Sequence, residues 1–361
     1  MSCDKILIKT RLGYEQIVAS RIKDLDPSSK VIPAPKGFKG LVLVESENKD
    51  RLAEEILKNV VEAEKVFVPQ VCVKADINDI IEAAKLIIDK IGGEETFAVR
   101  TNRRGKHSFT SIDVNIALGD IVRKNTGAQV NLTRPDKILQ VEIIGDEALL
   151  AIVPGSIEYK KKKPGKHDLY KLFWRLSIVQ TPYLGPIDAV KTMGLRIGRE
   201  IQNFEVKEYI VAPIGLVDAF ELAVFINSLI EGINSRYEVQ KKSYGRKVQK
   251  VSVKLEDLYS LVRDRRNEVI IVFEPEGEPV SKLRSELEEL ILKTRKRVNL
   301  LFGSREGVPL GVYRFADLVV DIAPGITLST EYAVASALIA IGTILHESLG
   351  ETLEGNNISS R

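Results

Sequence analysis

Short runs of alternating apolar and polar residues open this chain, helical spacing follows, and a long second half interleaves the two. Residues 6–9 and 41–45 read as strands and residues 14–25 and 49–61 as helices. Pro33, Pro35, Gly37 and Gly40 mark a turn-rich join between them. This predicts a small α+β unit over residues 4–70. A helix over 76–91 leads into a β-like segment at Phe97. Val114, Ala117, Leu118, Ile121 and Val122 then fall at i, i+3, i+4, i+7 and i+8, the stripe of an amphipathic helix. Thr110 or Ser111 stands where its cap belongs. Strands over 139–143 and 148–153 close this part.

Beyond residue 176, strands are predicted over 176–180, 208–212, 269–273, 299–302 and 318–322. Helices are predicted over 186–202, 217–232, 255–262, 280–296 and 330–346, the second of them largely buried. A basic β-like stretch runs over 237–253. Such alternation argues for a mostly parallel sheet covered by helices. The polar residues after 350 predict a frayed end.

Composition narrows the class. The chain has 361 residues, 44% hydrophobic and 29% charged, enough for two or three soluble domains. Residues 1–10 carry no cationic, apolar leader, and the near-apolar stretch 333–345 reads as too short to span a bilayer. Cys3 and Cys72 make no disulfide framework, so a reducing cytoplasm is expected. The wealth of Lys, Glu, Ile and Val leans towards a thermophile. His107, His167 and His346 are scattered, which predicts no metal site. Charge is uneven: residues 96–175 hold 15 Lys+Arg against 8 Asp+Glu, a surplus of +7, whereas the whole chain is only +3. Concentrated positive charge suits phosphate binding.

Within that segment, the order V-R-T-N-R-R-G at 99–105, helix, N-L-T-R-P-D at 131–136 and closing β-hairpin resembles the THUMP domain of tRNA-modifying enzymes. The resemblance implies tRNA as partner, gripped at its 3′ CCA end. Arg100, Asn102, Arg103, Arg104, Lys106, His107 and Arg134 are the candidate RNA contacts. Lys160, Lys161, Lys162 and Lys163, in a linker flanked by Pro154-Gly155 and Pro164-Gly165, join them. Residues 1–70 are read as the ferredoxin-like domain that precedes a THUMP, and 71–155 as the THUMP domain itself. Lys241, Lys242, Arg246 and Lys247, with Tyr237 and Tyr244, form a second basic patch read as a strand pair extending the RNA track.

The second half carries turn sequences after three strands: Glu274-Pro275-Glu276-Gly277, the G-S-R-E-G run at 303–307, and I-A-P-G-I-T-L-S-T-E at 322–331. Ligands of open α/β sheets lie beyond such strand ends, and glycine lets backbone approach them closely. In order and spacing the set resembles the S-adenosylmethionine site of SPOUT methyltransferases. That implies an α/β-knot domain over 171–350, following a linker at 156–170 and preceding a flexible tail at 351–361. It also implies S-adenosylmethionine as cofactor. Glu274, Pro275, Glu276, Gly277, Gly303, Ser304, Gly307, Ile322, Ala323, Pro324, Gly325, Ile326, Leu328 and Thr330 are its candidate contacts.

Ribose-methylating SPOUT enzymes often carry N-x-G-x-x-x-R after the first strand. Here Gly185 matches, but Tyr183 and Ala189 replace the asparagine and the arginine, so Arg305, Glu306 and Lys191 become the catalytic candidates. The apolar last helix resembles the SPOUT dimerisation helix, with Ala335, Ala337, Ala340 and Gly342 permitting close approach. Nearly the full length resembles archaeal proteins joining THUMP to SPOUT, which implies tRNA 2′-O-methylation in the acceptor stem, at a cytidine around the sixth nucleotide. Base methylation, or tRNA binding without catalysis, are the alternatives that the missing arginine leaves open.

Overall fold

The computed structural model describes residues 3–159, 161–163 and 165–358, with side chains through Gly350. The chain divides into two compact units, Met1–Lys161 and Lys162–Arg361.

The first unit holds two sheets. β1 (Lys5–Lys9), α1 (Glu15–Leu25), β2 (Lys30–Pro33), β3 (Leu41–Glu45), α2 (Lys49–Asn59) and β4 (Lys65–Phe67) build an antiparallel sheet of order β2-β3-β1-β4. Period-two alternation sends Ile6, Ile8, Val42 and Val44 against Val18, Ile22, Leu52 and Ile56 of the helices. The opposite face, Leu7, Leu41, Leu43 and Phe67, packs on Ile144, Leu149 and Ala151 of the second sheet. That sheet contains β5 (Val71–Lys74), β6 (Thr96–Arg104), β7 (Gln129–Val130), β8 (Lys137–Ile144) and β9 (Glu147–Pro154), in the order β5-β9-β8-β6-β7. Helices α3 (Ile77–Lys85) and α4 (Ser111–Thr126) cover its other face through Ile80, Val114, Leu118 and Val122. Thr110 caps α4 in a reciprocal box with Asp113, and Gly127 at φ 77° ends it. Cys3 and Cys72 are disulfide-bonded, contrary to the sequence reading. Separated by 69 residues and lacking a motif, the pair becomes visible only when β5 is placed beside the chain's first residues.

The second unit is one parallel sheet of order β12-β11-β10-β14-β13-β15. Its elements run α5 (Tyr170–Phe173), β10 (Leu176–Gln180), α6 (Ile187–Phe204), β11 (Glu208–Val211), α7 (Ala219–Ser243), β12 (Ser252–Leu255), α8 (Leu258–Asp264) and β13 (Val269–Pro279). Then follow α9 (Arg284–Leu287), β14 (Val298–Phe302), α10 (Leu310–Tyr313), β15 (Leu318–Asp321) and α11 (Thr330–Ile358). Close approach of α6 and α7 requires glycine: a Cβ on Gly198 would fall 2.1 Å from the Leu229 carbonyl oxygen, and one on Gly232 2.3 Å from that of Leu195.

Several elements differ from the sequence reading. The expected β-like stretch 237–253 is the end of α7, a connection and only a short strand, because Ile233 and Gln240 continue the helix's buried stripe. Arg246 there makes no basic surface: its guanidinium reaches the buried Glu205 at 2.6 and 2.9 Å and stacks 3.8 Å from the Tyr170 ring. The 280–296 helix breaks into a 3-10 turn, α9 and a π-helical turn at Glu288–Lys293. The last helix runs on to Ile358, through the expected tail. Its segment Thr330–Gly350 is long and apolar enough to cross a membrane, but 44% of it is buried, with Val334, Leu338, Ile341 and Leu345 in the unit's own core.

Candidate functional site

At the carboxyl end of the parallel sheet, the loops after β13, β14 and β15 meet around a cavity of about 430 Å³, a size suited to a small-molecule ligand. Of the proposed cofactor contacts, Glu274, Pro275, Gly303, Ser304, Gly307, Ile322, Ala323, Ile326, Leu328 and Thr330 line it, together with the catalytic candidate Arg305. Glu276, Gly277, Pro324 and Gly325 do not. Gly277 sits instead where a Cβ would fall 2.4 Å from the Val320 amide nitrogen, inside the β13–β15 contact, and Gly325 turns the last loop at φ 79°. Nor do two catalytic candidates: Glu306 is exposed off the cavity and Lys191 is exposed on α6. The sequence missed the walls. Phe273 and Phe302, stacked at 4.8 Å, line the cavity with Met193, Val320 and Asp321, and Tyr183 stands among them from the β10–α6 loop.

β13 does not end at Phe273 in a free turn. Its pairing to β15 shifts between Phe273 and Glu278, so residues 274–277 form a bulge, the device by which a strand re-aims a side chain. The bulge presents Glu274 to the next loop, where its carboxylate accepts the Val308 N–H at 2.6 Å. Gly303 and Gly307 pass so closely that a Cβ at Gly303 would lie 2.3 Å from the Gly307 Cα and 2.7 Å from a Glu274 oxygen. Burial pushes the Glu274 carboxyl above the ordinary carboxylate range; the Val308 and Gly303 amides oppose this and Glu276 reinforces it. Burial, with the charges of both glutamates, likewise raises the Tyr313 phenol, which donates to Glu276 at 3.2 Å.

Thr181 accepts the Ser304 N–H at 2.6 Å, tying the β10–α6 loop to the glycine turn. The Ser304 hydroxyl is buried and has no hydrogen-bond partner among the described residues. Arg305 donates to the Tyr183 hydroxyl at 2.8 Å, and its guanidinium lies 4.5 Å from that ring. Beneath them Gly185, at φ 140°, donates its N–H to Glu221 at 2.8 Å.

Cations predicted for RNA in the first unit divide into two sets. Glu142, buried on β8, accepts Lys9 at 2.5 Å, Gln140 at 2.8 Å, Asn102 at 2.9 Å and Arg104 at 3.4 Å. Arg100 is engaged by Glu158 at 3.1 Å and by the Leu132 carbonyl at 2.6 Å. Asn102 and Arg104 therefore serve the fold, because a buried carboxylate must be matched by donors, and Arg100 is tied to a half-buried glutamate and a loop carbonyl. Arg103 donates to His107 Nδ1 at 3.1 Å while His107 Nε2 meets the Gly145 carbonyl at 2.5 Å, so the ring links two loops. Lys106, Arg134 and Lys161 are exposed. In the second unit Lys163 is exposed, and Lys162 is held by Asp168 at 2.7 Å. Lys160 lies outside the described residues.

The cavity fits S-adenosylmethionine in its donor set: a glycine cradle that any side chain would fill, an unsatisfied hydroxyl, two stacked aromatic rings and acidic side chains for a cation. Comparison with known proteins points the same way. The family described as AF2226-like SPOUT RNA methylase fused to THUMP matches residues 170–360, and the THUMP domain matches 74–153. An uncharacterized protein of Methanocaldococcus jannaschii is 40% identical over 355 residues, 98% of this chain and 96% of its own. From the same organism, a tRNA (guanine(6)-N2)-methyltransferase is 40% identical over 75 residues, 19% of this chain and 20% of its own. A probable tRNA sulfurtransferase is 35% identical over 116 residues, 30% of each.

Proposed function

We infer that this chain, which belongs to the family of AF2226-like SPOUT RNA methylases fused to THUMP, methylates tRNA at a ribose 2′-hydroxyl. It is an S-adenosylmethionine-dependent RNA methyltransferase. The tRNA reading draws on the THUMP match and on the tRNA-modifying relatives. In our reading the THUMP sheet docks the 3′ CCA end and the acceptor stem presents a cytidine near the sixth nucleotide. A tRNA substrate suits a cytoplasmic enzyme, and disulfides in such proteins are known from hyperthermophiles.

The observation that carries the chemistry is Arg305 at the mouth of the glycine-walled cavity. When bound, the cofactor supplies a sulfonium methyl that needs only an aligned acceptor. A ribose hydroxyl is a weak acid, so charge developing on its oxygen must be stabilised. Arg305 supplies the guanidinium that Ala189 lacks. Tyr183 fixes that group through one N–H and leaves the others for the acceptor.

Dimerisation through α11 belongs to the same proposal, with a changed surface. Ala337 is buried, and Gly342 packs against Leu169 and Phe173 of its own unit, so neither is available to a partner. Among the described side chains of α11, Tyr332 and Ile339 are exposed and would meet one.

Incubating the protein with tRNA transcript and isotope-labelled S-adenosylmethionine, then digesting to nucleosides for mass spectrometry, tests the reading. A labelled 2′-O-methylcytidine is expected. A labelled base would replace the ribose assignment. Cofactor binding without transfer would favour the binding-only alternative, for which the Tyr183 and Ala189 departures speak.

A further inference from the structure

We propose that Glu274 is the counter-charge for the cationic methyl donor, favouring it over the product, whose sulfur is neutral once the methyl has gone. This rests on the assignment of the cavity to S-adenosylmethionine. Unmatched charge is what singles this residue out. Glu142, Glu205 and Glu208 are all buried carboxylates, and each holds a lysine or arginine within ion-pair distance. Glu274 is drawn into the cavity wall by the β13 bulge and receives only backbone amides, from Val308 at 2.6 Å and from Gly303. Among the described residues it has no ion pair.

The surrounding groups do not supply the missing charge. Asp321, the other acid on the wall, is occupied with the Ala323 N–H at 2.9 Å. Arg305, the basic side chain there, is turned to Tyr183. Glu276 and the Tyr313 phenol, the remaining titratable neighbours, add negative charge or none. A carboxylate in low dielectric without a cation is costly, and a ligand that brings one offsets that cost. A second, independent observation lies beside it: Ser304 belongs to the same cavity lining, is 8% exposed, and its buried hydroxyl has no hydrogen-bond partner among the described residues.

On transfer the sulfur–methyl bond would break with its electrons staying on sulfur, the acceptor oxygen would form the new bond to the methyl carbon, and its proton would pass to water, leaving a neutral thioether. The sulfonium charge that Glu274 would face therefore disappears on turnover, which assists release of product. Both ligands keep the α-amino group, so discrimination reads the sulfur.

Isothermal titration of the full chain with S-adenosylmethionine and with S-adenosylhomocysteine tests this. Glu274→Gln keeps the acceptor for the Val308 amide and removes the charge. It should weaken S-adenosylmethionine about tenfold and the homocysteine less than about threefold, while Glu274→Asp should retain most of the preference. Equal weakening of the two ligands, or none, overturns the proposal and leaves Glu274 as a clamp on the 303–308 turn. Should Glu274→Gln lose its cooperative melt, the wild-type pH profile decides. Affinity for S-adenosylmethionine should fall more steeply than that for the homocysteine as acid protonates Glu274, and parallel profiles overturn the proposal. Wild-type protein binding neither ligand sinks the cavity assignment itself, a distinct result.

Discussion

Glu142 and Glu274 are carboxylates drawn out of water in two different units, and their surroundings could hardly differ more. Glu142 is fully enclosed and met by Lys9, Arg104, Asn102 and Gln140. Glu274 is half-buried at the edge of a cavity and, among the described residues, is met by amides alone. The first arrangement is complete and therefore structural. The second leaves a charge unanswered, and that is the mark of a place where something else binds. A cationic sequence is thus a poor guide to RNA contact until the carboxylates beneath it are counted.

The sharpest way to break the comparison is to fill the open site. Gly303→Val should abolish S-adenosylmethionine binding by titration, since its Cβ has no room beside Gly307, and should leave RNA affinity unchanged. Parallel loss of RNA binding would mean that the two sites are not separate. Next in size is Glu142→Ala, which strands Lys9 and Arg104 and should cost about 3 kcal/mol in denaturant unfolding. A loss below about 1 kcal/mol would show the cluster to be a solvated surface network instead. Lys106→Ala with Arg134→Ala, both exposed, should reduce the slope of log affinity against log salt by about 0.7 to 0.9 for each phosphate no longer neutralised. An unchanged slope would remove this face from the RNA path.

The smallest effect is on acid stability, where two glutamates should pull in opposite directions. Burial raises the folded pKa of Glu274 above 4.5, so the unliganded fold loses stability as pH rises through that range. Glu274→Gln should then melt slightly higher than wild type at neutral pH, a binding site relieved of its unmatched charge. Burial works against ionisation of Glu208 too, but Lys254 and Ser177 hydrogen bonds and the Arg265 charge hold its pKa below 4.5. Its contribution is present above 4.5 and is lost as pH falls through the lowered value, so Glu208→Gln should flatten the acid limb of a melting-temperature profile.

The turns at 303–307 and 322–331 were legible because glycine and proline have few other uses at strand ends, whereas residues 274–277 read as a turn and are a bulge inside β13. The cavity walls were not legible, since Phe273, Phe302 and Val320 carry the same apolar signature as core. Glu142 misleads in another way. Gln140 and Glu142 alternate with Val141 and Ile143, the pattern of a strand with one face in water, yet Lys9 of the neighbouring sheet covers that face. Period alone cannot report a cover supplied by residues far away in sequence. For the same reason Arg246, a surface cation by its sequence surroundings, is the partner of the buried Glu205.

The contact of Leu7, Leu41, Leu43 and Phe67 with Ile144, Leu149 and Ala151, sealed by the Cys3–Cys72 bond, bears on how the protein can be divided. A fragment starting after Gln70 would lay bare the apolar back of its own sheet and forfeit the lysine that neutralises Glu142. Such a piece would aggregate rather than report on nucleic acid. Any transplant of the gripping module into another enzyme has to carry both sheets as a single cargo.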